Sequence, residues 1–263
     1  MHLGLCRLYT FCGLSYFHGE RCISLRLVDL TNGSPTKKII AFAIPIFIGN
    51  LFQQIYSVSD MFVVGRYLGK EALAAVGACS AVIIFITSII IGLCMGSGVY
   101  FSDLYGAKDY KKLSAAISTS FIFIFVITVV TMLVTMVFIT PLMRLFHIPE
   151  TVMGLAKTYL IITVSGLPFM LLYNIATVIL RAFGNSETPL IFLITASIIN
   201  VAFDFLLVIV WPLGVKGPAI STLAAQVLSG IPLLIYAVKK MNFLKLRLTF
   251  KKRCLKRLQN TLY

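Results

Sequence analysis

Six long apolar runs, separated by short polar segments, limit what this chain can fold into. Each run reaches or exceeds the roughly 20 residues that a helix needs to cross a bilayer. Only 12% of the residues are charged, against about 25% in ordinary soluble domains, and 59% are hydrophobic. The sequence therefore predicts an all-α membrane protein with a bundle of six transmembrane helices. The predicted spans are residues 39–64, 72–101, 113–142, 152–182, 190–211 and 219–238.

The distribution of basic residues predicts the orientation of these helices. A net charge of +14 is typical of nucleic-acid-binding proteins, but the basic residues here lie in short loops and at the chain ends. With the N-terminus in the cytoplasm, 18 of the 23 Lys and Arg residues are cytoplasmic, as the positive-inside rule requires. We therefore expect a multi-pass plasma-membrane protein with both termini cytoplasmic, in contact with membrane lipid and not with nucleic acid.

The same distribution divides the chain into three parts. Residues 1–35 are predicted to be a cytoplasmic or interfacial extension, residues 36–240 the six-helix transmembrane lobe, and residues 241–263 a basic cytoplasmic tail. Such a tail is expected to lie against the anionic inner leaflet.

Two acidic side chains fall inside the apolar runs. Asp60 lies near the end of the first run, and Asp204 lies in the fifth. A carboxylate at membrane depth costs roughly 2.5–3.5 kcal/mol, so such groups persist where they pair, bind a cation or carry a proton. Gln53, Tyr56 and Asp60 share one helical face, and Asn200 shares a face with Asp204. An alternative is that these polar groups only join the helices through hydrogen bonds.

In the predicted orientation, Asp60, Asp204 and Thr222 all fall in the outer half of the bilayer. Oxygen ligands from separate helices at one depth suit a hard cation such as Na⁺, so Asp60 and Asp204 are candidate metal ligands. The same carboxylates, close together and desolvated, could bind a proton instead. Pro45, in the inner half of the first run, removes the backbone hydrogen bond to the Ala41 carbonyl and predicts either a static kink or a hinge.

Signatures of catalysis are absent from the sequence. It has no GxxxxGK[ST], HExxH or GxSxG motif, and no apolar run contains His. The six cysteines form no CxxC pair, and Cys79 and Cys94 are predicted to be small core residues. We therefore expect that the chain is not an enzyme.

A series of short motifs carries a family resemblance. In chain order they are residues 44–45, 49–54, Tyr56-x-x-x-Asp60, 64–66, 71–77, 105–109, 180–185, 188–189 and Asn200-x-x-x-Asp204. Together they resemble the multidrug and toxic compound extrusion (MATE) transporters, in the branch similar to DNA-damage-inducible protein F. The resemblance covers about residues 30–240.

The resemblance implies a function and a site. MATE proteins use inward Na⁺ or H⁺ to drive drug efflux, which implies a cation-coupled multidrug antiporter that exports organic cations or amphipathic xenobiotics. The substrate would be a drug-like small molecule, with the coupling ion and no other cofactor. Bending at Pro45 would link cation occupancy to substrate release. The implied cation site of the first lobe comprises Asp60, Asn174, Asn200, Asp204 and Thr222, with Tyr56 and Gln53 adjacent.

The family has twelve spans in two facing lobes, whereas six are predicted here, so the resemblance implies the first lobe. Three explanations stay open: an inactive truncated remnant, a half that pairs with a second six-helix lobe, and a homodimer. A lipid-precursor flippase of related architecture is a further alternative. It would need a basic cavity within the spans, and the spans hold almost no basic residue.

Overall fold

The structure is a computed structural model that describes residues 35–243. These residues form eight α-helices, with a 3₁₀ turn at Glu150–Val152, a π-helical turn at Leu206–Val210 and no strand. The predicted N-terminal extension and the basic tail fall almost wholly outside the described residues. The helices are α1 (Pro35–Tyr67), α2 (Lys70–Gly106), α3 (Tyr110–Val137), α4 (Ile139–Leu145), α5 (Met153–Ser165), α6 (Leu167–Ala182), α7 (Glu187–Phe205) and α8 (Lys216–Phe243).

The helix lengths confirm the all-α membrane fold. Among the described residues, four helices are long and apolar enough to cross a membrane: α2, α3, α7 with its π-helical turn, and α8. Helices α5 and α6 pass the same length and hydropathy test only when they are taken together, and they are bent by 42° at the break between them. Helix α1 has 33 residues and is about 50 Å long, which is also enough to cross a bilayer, but it carries more polar side chains than the others.

The third predicted span is too long at its C-terminal end. Helix α3 ends at Val137, and the separate short helix α4 begins at Ile139, whereas the apolar run extends to residue 142. Pro141 explains the break, because it has no N–H to donate to the Val137 carbonyl and its ring crowds that carbonyl.

The fourth predicted span is broken in the middle. Helices α5 and α6 meet at Gly166, and Pro168 occupies the first turn of α6. A proline is tolerated in a first turn, where its missing N–H has no helical partner to lose. The structure has its 42° bend at this break.

Helix α6 lies at the centre of the bundle and packs against α8, α2 and α3, while α1 packs mainly against α7. Small residues allow the closest of these contacts: a side chain at Gly230 of α8 would collide with the Phe169 carbonyl of α6. Cys79 and Cys94 are buried and form no disulfide, and their burial confirms their predicted core position. Large apolar side chains such as Phe62 and Ile84 point outward, as lipid contact requires.

Candidate functional site

Asp60 brings a carboxylate into the interior from α1. Its side chain is only 7% exposed, although neighbouring positions on α1 face outward. The hydroxyl of Tyr159, on α5, donates to Oδ2 of Asp60 at 3.5 Å. This contact places the acid between two helices that are far apart in the sequence, instead of at the lipid surface.

Asp204 and Asn200 bring a second polar group from α7. Both side chains are fully buried, and Asp204 lies one residue before the end of the regular helix at Phe205. Ser221 of α8 connects them: its hydroxyl accepts a hydrogen bond from Nδ2 of Asn200 at 3.3 Å and donates to Oδ1 of Asp204. A π-helical turn, Leu206–Val210, interrupts the regular helix shortly after Asp204, and such turns are frequent at functional sites.

Tyr56 joins the two halves of this cluster. Its hydroxyl donates to Oγ1 of Thr222 at 3.2 Å, which links α1 to α8. Tyr56 interacts electrostatically with both Asp60 and Asp204, and the two carboxylates interact with each other. If both acids are ionised, their mutual repulsion favours the binding of a positive charge.

Three acceptor atoms in the cluster have no hydrogen-bond partner among the described residues. They are Oδ1 of Asp60, Oδ1 of Asn200 and Oδ2 of Asp204, and all three are buried. A buried acceptor left without a partner costs about 1–3 kcal/mol, and more when it is charged. A hard cation, or a proton on one carboxylate, would satisfy these oxygens, so the donor set fits both kinds of coupling ion.

Three residues implied by the resemblance lie elsewhere or contact other groups. Asn174, on α6, is half-buried, and its amide donates to the Met170 carbonyl of its own helix at 2.9 Å. Gln53 is exposed on α1. Pro45 precedes Asp60 by 15 residues in the same helix, which is a distance of about 22 Å. The structure therefore brings together four of the five implied cation ligands, with Asn174 hydrogen-bonded to its own helix.

Tyr159 and Ser221 belong to the cluster, although the sequence analysis did not single them out. Each hydrogen-bonds to one of the two acids. The position of Ser221 next to Thr222 was the available signal for one of them. Tyr159 lies in an apolar run with nothing around it to mark its role.

Comparison with known proteins places this geometry in a family. The family model described as MatE matches residues 45–206. A probable multidrug resistance protein of Bacillus subtilis (strain 168), YoeA, is 31% identical over 215 residues, which cover 80% of this chain and 46% of YoeA. The chain thus spans about half the length of the curated relatives it matches.

Solved structures share the fold. One is the outward-facing conformation of a multidrug resistance MATE family transporter of the MOP superfamily, with a TM-score of 0.78 and 24% identity over 90% of this chain and 53% of that one. Another is a MATE protein in the bent conformation, with a TM-score of 0.73 and 25% identity over 82% of this chain and 47% of that one.

Proposed function

The chain belongs to the MatE family, and we therefore propose that it acts as one lobe of a cation-coupled multidrug antiporter in the plasma membrane. Members of this family are transporters, in agreement with the prediction that the chain is not an enzyme. The observation that carries the proposal is the pair of buried carboxylates, Asp60 and Asp204, which come from separate helices and each have one oxygen without a hydrogen-bond partner among the described residues. The proposed cargo, organic cations or amphipathic xenobiotics, is supported by relatives named for multidrug resistance and export.

In this proposal, Na⁺ or H⁺ binds at the acid pair. The carboxylates of Asp60 and Asp204 supply the negative charge, and the Asn200 carbonyl and the Thr222 hydroxyl supply neutral oxygens. A bound cation removes the repulsion between the acids and lets α1, α7 and α8 pack more closely around them. Helix packing would then differ between the ion-bound and the ion-free site, and this difference would couple ion binding to transport.

Pro45 is the proposed hinge for that change. The helix around it lacks one backbone hydrogen bond, so α1 can bend there at a lower cost than elsewhere along its length. One MATE protein is known in a bent conformation, which supports bending as a motion available to the family. Alternating access further needs a second lobe that moves against this one, and we propose that a second six-helix lobe is the partner.

The flippase alternative predicts a basic cavity for a pyrophosphate group. Lys and Arg residues in the described helices lie near helix ends, and the cluster around Asp60 and Asp204 is acidic. A cation is therefore the better-matched ligand for this site.

The test is isotopic Na⁺ binding by the full chain in lipid nanodiscs, with acid competition. We expect Asp60→Asn and Asp204→Asn each to weaken Na⁺ binding at least about tenfold, since each removes a full charge from a buried site. Low pH should displace Na⁺ from the unaltered chain. Asp103→Asn is the matched control, because Asp103 is an exposed carboxylate near the end of α2.

If the unaltered chain inserts stably but binds Na⁺ no better than the two site variants, and no proton is taken up there either, the proposed site is wrong. A chain that fails to insert would favour the inactive-remnant explanation. Equal losses in Asp103→Asn would mean that the effect comes from net charge and not from the site.

A further inference from the structure

Arg181 is a charged side chain that the cation site does not use. It lies in the last turn of α6 and is half-buried. Its Nε atom is buried and has no hydrogen-bond partner among the described residues. Ion pairs within the described part of the chain join Lys112 to Asp109 and Arg144 to Glu150, and Arg181 takes part in neither. A cation partly withdrawn from water is costly without an anion beside it.

The end of α6 does not need Arg181 as a cap. A basic side chain near a helix C-terminus often stabilises carbonyls that have no partner. Here the carbonyls of residues 179–181 already accept hydrogen bonds from the backbone N–H groups of residues 183–185. Gly184 allows the chain to turn back and form these hydrogen bonds, because its φ of 78° lies in the left-handed region. The guanidinium donors are therefore left for a ligand outside the helix.

The surroundings of Arg181 are polar and well packed. Tyr173, Thr177 and Arg181 are spaced i, i+4, i+8, so they follow one face of α6. The Tyr173 hydroxyl donates to the Pro189 carbonyl of α7 at 3.3 Å, and Thr177 is only 4% exposed. Residues 183–186, which connect α6 to α7, are also buried. Arg181 is thus preceded by partly or fully buried polar residues on its own helix and followed by a buried connection to α7.

Other basic side chains lie at the same end of the bundle. The Tyr105 ring packs against Phe183 with 5.1 Å between the ring centroids, so the turn between α2 and α3 lies beside the end of α6. That turn carries Lys108, and the first turn of α3 carries Lys111, both exposed. The ends of spanning helices lie at the level of the lipid headgroups, where basic pockets between helices bind anionic lipids.

We propose that Arg181 binds the phosphodiester group of an anionic phospholipid such as phosphatidylglycerol. The planar guanidinium presents several N–H donors in a fork that matches two phosphate oxygens, a geometry that a lysine cannot reproduce. The partial burial of Arg181 limits the positions that the fork can take, and the nearby lysines add long-range attraction for the negative headgroup. This site is separate from the cation site and does not depend on transport activity.

The experiment uses the full chain in nanodiscs of phosphatidylcholine mixed with phosphatidylglycerol. After extraction into detergent, native mass spectrometry counts the phosphatidylglycerol molecules that each chain retains. Arg181→Gln should lower this retention about fivefold, the value expected for one basic group at an anionic surface. Arg181→Lys should give an intermediate loss. Arg66→Gln is the control, since Arg66 is also in the last turn of a helix but is exposed.

Retention that is equal in the unaltered chain, Arg181→Gln and Arg66→Gln would overturn the proposal. Inorganic phosphate that displaces the lipid completely would show that the site binds free phosphate instead. Loss of association with a second lobe, with lipid retention unchanged, would assign Arg181 to a protein interface. Should Arg181→Gln fail to fold, a photoreactive phosphatidylglycerol added to the unaltered chain still decides: it should label the segment around Arg181 and not the segment around Arg66.

Discussion

The Ser221 hydroxyl has one proton and two acceptors within reach, Oδ1 of Asp204 and the Pro218 carbonyl at 2.8 Å. Donation to an ionised carboxylate is the stronger of the two hydrogen bonds, because it is charge-assisted. When a proton neutralises Asp204, the hydroxyl can instead donate to Pro218 and accept from the acid. Ser221 can therefore follow the charge state of Asp204 without any movement of the helices.

We expect Ser221→Ala to weaken Na⁺ binding about tenfold. The change removes the donor to Asp204 and also leaves Nδ2 of Asn200 without its acceptor, which costs about 1–3 kcal/mol for each buried group left unpaired. The measurement is isotopic Na⁺ binding by the full chain in nanodiscs, with the pH of half-displacement recorded for each variant. That pH should also shift in Ser221→Ala, which a purely structural role would not produce.

Ser229→Ala is the matched control for this change. Ser229 lies two turns further along α8, is also buried, and donates only to carbonyls of its own helix. Its removal should change Na⁺ affinity less than about twofold, the usual range for a substitution away from any site. Similar losses in both variants would mean that α8 packing, and not the Ser221 hydrogen bonds, controls the site.

Sequence patterns identify Asp60 and Asp204 because a charge stands out in an apolar run. They do not identify Ser221, since most membrane hydroxyls satisfy themselves: Ser118 and Thr128 donate to carbonyls four residues earlier in their own helix. Whether a hydroxyl does this or reaches across to another helix depends on tertiary packing. Asn174 shows the opposite outcome: the resemblance implies that it is a cation ligand, but its amide hydrogen-bonds within its own helix.

At the scale of the elements, hydropathy locates the helices well and their ends less well. The apolar run continues through residue 142, but Pro141 ends α3 at Val137 because it has no N–H to donate. Hydropathy does not detect this missing N–H, so the predicted span is too long. The bend at Gly166 is clearer in the sequence, where glycine and proline lie close together in one run. The contacts between helices cannot be predicted in this way, since they depend on which faces meet.

The crossing of α6 and α8 is one such contact, and Gly230→Ala tests it. An added Cβ would collide with the Phe169 carbonyl, which is backbone and cannot turn aside. The helices would have to separate, so we expect a loss of about 1–3 kcal/mol in the free energy of unfolding. Unfolding of the full chain in detergent micelles, followed by circular dichroism against denaturant concentration, measures this loss.

Gly96→Ala should have the opposite effect. A Cβ at Gly96 of α2 meets no atom within 4 Å, so the substitution gains only helix propensity, about 0.5–1 kcal/mol. If both alanine variants change stability by the same amount and sign, the close approach of α6 and α8 is not what requires glycine at residue 230.

For the whole molecule, the outward face of α1 raises the question of a partner. Asn50, Gln53, Gln54 and Ser57 follow one face of the helix and are exposed. Lipid tails offer these amides no hydrogen-bond partners, so in the membrane the stripe has to face protein or a water-filled cavity. Both are provided if a second lobe stands opposite α1, as in a full transporter whose central path lies between its halves.

This arrangement predicts that the chain by itself binds the coupling ion but does not transport a drug. The acid pair is complete within one lobe, so the chain reconstituted alone should bind Na⁺ or protons. It should not move ethidium, because alternating access needs a second half to close against. The measurement is ethidium efflux from proteoliposomes under an imposed Na⁺ or H⁺ gradient, with the Asp60→Asn variant as the background.

Adding the second half of a full-length relative to the same proteoliposomes should produce efflux that requires both the gradient and Asp60. We expect the polar face of α1 to be needed for this efflux but not for ion binding. Gln53→Leu and Gln54→Leu should therefore reduce efflux and leave Na⁺ binding unchanged. Their side chains are exposed, whereas those of the two acids are buried, and within the described residues neither glutamine hydrogen-bonds to the acids. Gradient-driven efflux by the lone chain, abolished in Asp60→Asn, would contradict the need for a second lobe and would instead favour a pair of identical lobes facing each other across α1.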